Sequence, residues 1–322
     1  MNGQHPLLSV VIPTYRGREH LVAVLAALAR QSLDGAAFEV IVSIDGRGDG
    51  TAAILAARQV PYALRWVEGE RAGPGFARNR GTRLARGGLL LFLDDDIVAT
   101  PALLAAHLDV HRAAGEQTVC LGQVRLPPAY PLSAGERYLA ARLEEHYDKM
   151  NRPGYRPDFW DCLSGNFSLR RDLWQASGGF APAFAAGRHE DIELGYRLQH
   201  LGARFLYERA ALAHHRYRKD PAAGLRDART EGHSACRLAR AYPELAPALF
   251  DARWQRYPPP FQAVLRRAGA NPGQLRRLAW TAARLVIACQ RMPLSATRPL
   301  YRAAFHLHFW LGAQEEGCAA GR

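Results

Sequence analysis

The sequence predicts an α/β fold with a mostly parallel central sheet flanked by helices, followed by a C-terminal helical extension. Three observations carry this. From Leu8 to Leu93, short β-branched and apolar runs alternate with segments of helical periodicity. That β-α-β-α-β order demands parallel strands joined by right-handed crossovers. Acidic residues and glycine-rich turns gather where the runs end, and beyond about Asp220 only helical patterns remain.

The first predicted strand is Leu8–Ile12, stopped by Pro13, which cannot continue a central strand. Leu21, Val24, Leu25 and Leu28 recur at helical spacing. Phe38–Ile44 is the second strand and ends in the turn Asp45-Gly46-Arg47-Gly48. A helix from Thr51 leads to a short strand, Leu64–Val67. Gly73-Pro74-Gly75 then opens a helix carrying Arg78 and Arg80, the kind of entry that favours phosphate. Leu89–Leu93 reads as a strand buried on both faces, followed at once by Asp94, Asp95 and Asp96. Ligands of open α/β sheets bind at such C-terminal strand ends, and three anions so close call for a cation. The plainer alternative is an aspartate-rich turn.

Further along, Pro101 starts a helix and Val119–Val124 reads as a strand. Residues 127–161, rich in proline, tyrosine and charge, read as a long, partly ordered active-site loop. Cys162–Leu169 is a strand in which Gly165 permits close backbone approach. Glu190 and Asp191 open a helix carrying Leu194, Leu198 and Leu201. They are either a general base with its neighbour or ordinary complements of the helix dipole, and pattern does not choose. Phe205–Tyr207 is a last strand, leading to His214 and His215. Helical patterns follow at Leu225–Ala241, Leu275–Gln290 and Tyr301–Trp310, interrupted by Pro258-Pro259-Pro260.

With 322 residues, 48% apolar and 22% charged, the chain has the makeup of a folded soluble protein. Its five cysteines (120, 162, 236, 289 and 318) lack ligand-like spacing and suit reduced thiols in a cytosolic protein. No signal peptide is evident, and the most apolar late stretch, Leu278–Cys289, is interrupted by Arg284. The expected location is cytoplasmic, with room for attachment to the inner membrane face and for a homo-oligomer. The net charge of +12 fits an anionic lipid surface or a phosphate-bearing substrate better than nucleic acid, for which no recognition module is visible. An arginine-rich coding background would give the same charge without a function.

Taken in order, the motifs resemble those of the family 2 glycosyltransferases, inverting enzymes of the GT-A fold that use nucleotide sugars. The residues are Val10–Tyr15, Asp45-Gly46, Ala77–Gly81, Phe92–Asp96, Ser164-Gly165-Asn166 with Arg171, Gly178-Gly179-Phe180, Glu190–Leu194 with Arg197-Leu198, and His214. They cover roughly residues 7–216. The Gly-Gly-Phe to Glu-Asp segment also resembles the C-terminal part of galactosyl- and N-acetylgalactosaminyltransferase domains.

The resemblance implies a GT-A catalytic domain over 6–217 and a helical region over 218–322. It implies that Pro13 and Tyr15 line the base and ribose pocket, that Asp45 accepts from the base, and that Arg78 helps hold the nucleotide. Asp94 and Asp96 match the family's Asp-x-Asp, with Asp95 near the ribose and Asp96 on Mn²⁺ or Mg²⁺. His214 matches a metal or diphosphate contact, and Asp191, with Glu190 beside it, matches the catalytic base. Gly165, Asn166 and Trp160 are expected near the donor sugar or acceptor. The implied partners are a nucleotide-sugar donor, expected to be a UDP-sugar, and a glycan, lipid-linked or small-molecule acceptor. The chain departs from the family pattern at Ile44, where a second acid is common, at Arg16, and at Ala181-Pro182 after Gly-Gly-Phe. A nucleotidyltransferase on a similar fold and a noncatalytic nucleotide-sugar-binding module are the alternative readings.

Overall fold

The computed structural model describes residues 5–128, 130–216 and 220–318. The expected domain junction between residues 217 and 218 lies outside them. The chain divides into two compact units. The first comprises Met1–Tyr130, Leu143–Ala186 and Glu190–Tyr217, and the second Pro131–Arg142, Gly187–His189 and Arg218–Arg322.

In the first unit β1 (Leu8–Thr14), α1 (Arg18–Leu28), β2 (Phe38–Asp45), α2 (Thr51–Ala56), β3 (Ala63–Gly69), α3 (Pro74–Thr82) and β4 (Leu89–Leu93) follow the predicted alternation. Then come β5 (Ile97–Ala99), α4 (Leu103–Ala114), β6 (Thr118–Arg125), α5 (Ala134–Met150), β7 (Asn166–Arg170), α6 (Arg171–Ser177), α7 (Glu190–His200) and β8 (Arg204–His215). The strands form one sheet in the order β3-β2-β1-β4-β7-β6-β8-β5. β3, β2, β1 and β4 run parallel, as do β6 and β8, while β7 and β5 run against their neighbours.

Every residue of β1, β2 and β4 is buried, the expected result for strands covered on both faces. Phe92 lies at the centre, its ring 4.8 Å from those of Phe167 and Trp174. A buried polar knot ties α4 to the sheet: the His107 Nδ1 and His111 Nε2 atoms both lie 2.8 Å from the Ser168 hydroxyl.

Three local expectations change. β1 continues through Pro13, which pairs with Ser43. Pairing with β4 ends at Val11, so the missing proline amide removes no bond on that side. β8 runs to His215, far beyond Tyr207, with an irregular register near Gly122 of β6. The loop expected over 127–161 contains the long helix α5. A capping box starts it: Ser133 N donates to Glu136 Oε2 (2.8 Å) and Glu136 N to Ser133 Oγ (3.3 Å).

The second unit holds the start of α5 and then α8 (Pro221–Ala241), α9 (Ala252–Gln255), α10 (Pro259–Gly269), α11 (Pro272–Ala288) and α12 (Leu294–Glu315). α12 lies along α8, with Arg229 on Glu315 (2.6 Å) and Arg237 on Glu316 (2.7 Å). That packing brings Cys236 of α8 and Cys318, just past α12, to a Cα separation of 6.2 Å, where a disulfide joins them. The expectation of five reduced thiols is corrected, since a sequence separation of 82 hides the pair. Among the described residues no helix is long and apolar enough to cross a membrane.

Candidate active site

The ends of β1, β2 and β4 meet at one edge of the first unit's sheet, and Asp94, Asp95 and Asp96 follow β4 directly. Their carboxylates take three different partners. Asp94 Oδ1 accepts from Arg78 Nη2 at 2.6 Å, Asp95 Oδ2 accepts from the Thr14 hydroxyl, and Asp96 Oδ2 lies 3.0 Å from His215 Nε2. Burial pushes Asp95 up to about 7, and the charges of Asp96 and Asp94 add to it while the Thr14 bond opposes. Burial also acts on Asp96, but the hydrogen bond and charge of His215, with His20 further off, outweigh it and hold that carboxyl below its usual range.

Arg78 projects from α3 and is only 2% exposed. Beside its bond to Asp94 it places Nη1 3.6 Å from Glu190 Oε1, and its guanidinium lies over the Phe180 ring. Burial works against its charge, but Asp94 and then Glu190 more than offset this. Arg78, expected to help hold the nucleotide, stands here as a buried counter-ion between the acidic turn and the start of α7.

Gly165 is needed for close approach, as the sequence suggests. Its carbonyl accepts from Asp94 N at 3.2 Å, and a Cβ there would stand 3.0 Å from Asp94 Oδ2. The preceding residue, Ser164, donates its amide to Asp191 Oδ2 at 3.3 Å. Two adjacent residues thus hold the acidic turn and Asp191 together, and Ile192 N donates to Asp191 Oδ1 at 2.9 Å.

Asp45 sits at the same edge, 6% exposed, accepting from Ala72 N and Gly73 N, both at 2.9 Å. Those bonds, with Gly75 N donating to Ala185 O at 2.9 Å, occupy amides that the glycine-rich entry of α3 was expected to offer to phosphate. The glycines serve packing instead: a Cβ on Gly73 would come within 2.5 Å of Ala186 Cα. Tyr15 is 40% exposed beyond Pro13, with the Arg71 guanidinium 4.5 Å from its ring centre.

Two expected sugar contacts diverge. Trp160 is half-buried in a short turn against Phe159. Asn166 is turned into the core, its Nδ2 donating to Ala211 O (2.9 Å) and Gln123 O (3.2 Å) and its Oδ1 3.0 Å from His107 Nε2. Expected near the sugar, it has a protein partner at every polar atom of its amide. The two histidines also separate. His214 pairs with Val98 and Arg125 across the sheet, and its Nδ1 is buried without a hydrogen bond, while the imidazole that reaches Asp96 is that of His215.

A model of glycosyl transferase family 2 matches residues 9–177, more than half of the chain. The chain belongs to that family. Among curated relatives, the validoxylamine A glucosyltransferase of Streptomyces hygroscopicus subsp. limoneus is 34% identical over 220 residues, 60% of this chain and 48% of the relative. The chain thus spans about half the length of the curated relatives it first matches. Among solved structures, a Pyrobaculum calidifontis mannosyltransferase in complex with GDP-Man and Mn²⁺ superposes with a TM-score of 0.60 at 20% identity, covering 98% of this chain and 88% of that one. TarS 1–349 of S. aureus in complex with UDP-GlcNAc gives 0.55 at 18% identity, covering 97% and 92%. The fold is the GT-A type of these glycosyltransferases, with a C-terminal helical region.

For a family 2 glycosyltransferase a divalent cation beside a diphosphate is the implied cofactor. Among the described residues no group of three or more His, Cys, Asp or Glu side chains is arranged to hold a metal by itself. A carboxylate and an imidazole, Asp96 and His215, do fit a divalent transition-metal cation such as Mn²⁺ that takes its remaining ligands from phosphate and water. Sequence reasoning reached the His214-His215 pair and the resemblance singled out His214, because a histidine pair gives no sign of which ring faces the acids. It missed Tyr147 of α5, which is 3% exposed, and whose hydroxyl is pushed up by burial and then by Tyr207, Asp94 and Asp191. The Ser133–Glu136 capping signature was the signal for α5.

Proposed function

We propose that this chain is an inverting, metal-assisted glycosyltransferase that moves a sugar from a nucleoside diphosphate donor, most simply a UDP-sugar, to an acceptor hydroxyl. The observation that carries this reading is the Ser164-Gly165 pair, which holds Asp191 and the Asp94–Asp96 turn on adjacent backbone groups. A base and an acidic diphosphate site must be close for such a transfer.

Asp191 is steadied by the Ser164 and Ile192 amides and keeps lone pairs for an incoming proton. It takes the acceptor's hydroxyl proton while the oxygen bonds to the anomeric carbon. The bond to the diphosphate breaks and its electron pair leaves on the phosphate oxygen, and attack opposite the leaving group inverts the anomeric centre. Asp96 and His215 would hold the divalent cation, which when bound offsets the charge that grows on the diphosphate. Tyr15, backed by Arg71, would take the face of the base, and Asp45 with Asp95 would orient the nucleoside. Glu190 and Arg78 position the acids. Trp160 is the remaining candidate for a sugar or acceptor contact. The catalytic domain in this reading is residues 6–217. The nucleotide sugars in the GDP-Man and UDP-GlcNAc neighbours support the donor class.

Asp191→Asn is expected to bind donor as the native protein does and to lose about 10²- to 10⁴-fold in turnover. Unchanged turnover would remove Asp191 from the mechanism. Proton NMR of the native product should give the anomeric configuration opposite to the donor's, and a retained configuration would contradict inversion.

A further inference from the structure

The 63 residues from Ala252 to Gln314 contain ten arginines and neither aspartate nor glutamate. They account for +10 of the chain's +12, because the rest holds 32 basic residues (42 less ten) against all 30 acids. α11 concentrates this charge. Leu275, Ala279, Ala282 and Val286 form its buried stripe. The opposite stripe reads Arg277, Trp280, Arg284, Ile287 and, just past the helix, Arg291, all exposed. Trp280 is 61% exposed, the most open of the large hydrophobic side chains among the described residues, and Leu278, Leu285 and Ile287 are 40–49% exposed. The Arg284 guanidinium lies 4.8 Å from the Trp280 ring centre. Among the described residues Arg276 reaches Glu315 at 3.5 Å, while Arg277, Arg284 and Arg291 meet no carboxylate.

We propose that this face of α11 is a docking surface for an anionic lipid bilayer, with the arginines on headgroup phosphates and Trp280 and Ile287 at the acyl boundary. The two halves of the pattern need different things from one partner. The arginines need anions, and the aliphatic and indole surface between them needs an apolar phase. A bilayer interface supplies both within one helix diameter. Nucleic acid would answer the arginines and leave the aliphatic side chains in water. A second copy of this chain would set arginine against arginine. The helix is too short and too charged to span, so it lies in the interface plane.

The test is sedimentation of the full chain with vesicles of phosphatidylglycerol mixed with phosphatidylcholine, against vesicles of phosphatidylcholine alone. Binding is expected only to the mixed vesicles and should weaken as salt is raised. The double variant Arg277→Glu/Arg284→Glu should partition at least about tenfold less, and Trp280→Ala several-fold less. Arg83→Glu/Arg112→Glu, on exposed sites in the first unit, should change partitioning less than about twofold. Circular dichroism of each variant checks that the fold is kept. The proposal is overturned if the chain ignores the mixed vesicles or binds both vesicle types alike. It is also overturned if the two double variants lose equally, or if the α11 arginines prove to hold RNA or a second copy while vesicles stay free.

Discussion

Each unit contains a buried ion cluster, and the two have opposite sign. In the first unit one guanidinium, Arg78, sits between carboxylates, Asp94 and Glu190. In the second a carboxylate, Glu231, sits among cations. Arg253 is bonded to it at 2.6 Å, and Arg142, His189 and Arg188 lie around it. Burial alone would raise Glu231, but Arg253 first and then Arg142 reverse this and hold it down at about 2. The first unit's cluster is short of positive charge and stands at a strand edge suited to a cation and a diphosphate. The second unit's cluster has more cations than acids, with Asp227 on Arg188 at 3.3 Å as a further carboxylate, and Glu231 is expected to matter there for stability. Under the proposed function, similar buried ion chemistry serves a reaction in one unit and the fold in the other.

Breaking each cluster should separate those roles. Arg78→Gln leaves Asp94 and Glu190 without their counter-ion, so it is expected to cost about 3–5 kcal/mol in denaturant unfolding. Donor affinity should fall with it, as the acidic turn loses its anchor. Glu231→Gln should cost roughly 3 kcal/mol at pH 7, from a pKa lowered from 4.5 to about 2. The sign follows from the lowered value: the contribution is full above pH 4.5 and is lost as pH falls through about 2. The gap between native and Glu231→Gln unfolding energies should therefore close over that window while catalysis at neutral pH stays intact.

A smaller effect comes from α4. Burial lowers both His107 and His111 to about 4, so the unfolded chain takes up protons first as pH falls below 6.5. Stability should decline between pH 6.5 and 4 by about 1.4 kcal/mol per pH unit for each histidine. His111→Gln should flatten the unfolding profile by one such step, and an unaltered slope would show that the ring is not held neutral.

The two units also differed in what their sequences disclosed. In the first, buried strands such as Leu89–Leu93 must be continuous apolar runs, and the acids that follow them must lie at the strand ends. Periodicity therefore reached the site. It could not tell which motif residues meet substrate and which brace the fold. Asn79 accepts from Phe180 N and donates to Phe180 O, and Arg197 is held by Glu193 while capping Gly179 O. These residues read like site motifs and act as braces, as Asn166 and Arg78 do. A side chain's partners depend on contacts across a hundred residues, which spacing does not encode. In the second unit the helical patterns were plain, but α5, which starts there, was hidden by its own charges and by the prolines on either side of it, at 127, 128, 131, 153 and 157, and the Cys236–Cys318 pair by distance along the chain.

The central claim is that the Asp94–Asp96 edge binds a nucleoside diphosphate through a divalent cation. Titration calorimetry of UDP into the native chain, with and without Mn²⁺, tests it most directly, with Asp96→Asn as the comparison and GDP as the second nucleotide. One of the two nucleotides should bind at least about tenfold more tightly when Mn²⁺ is present, and Asp96→Asn should erase that gain. Equal affinity with and without the metal, or a gain that survives Asp96→Asn, would contradict the claim.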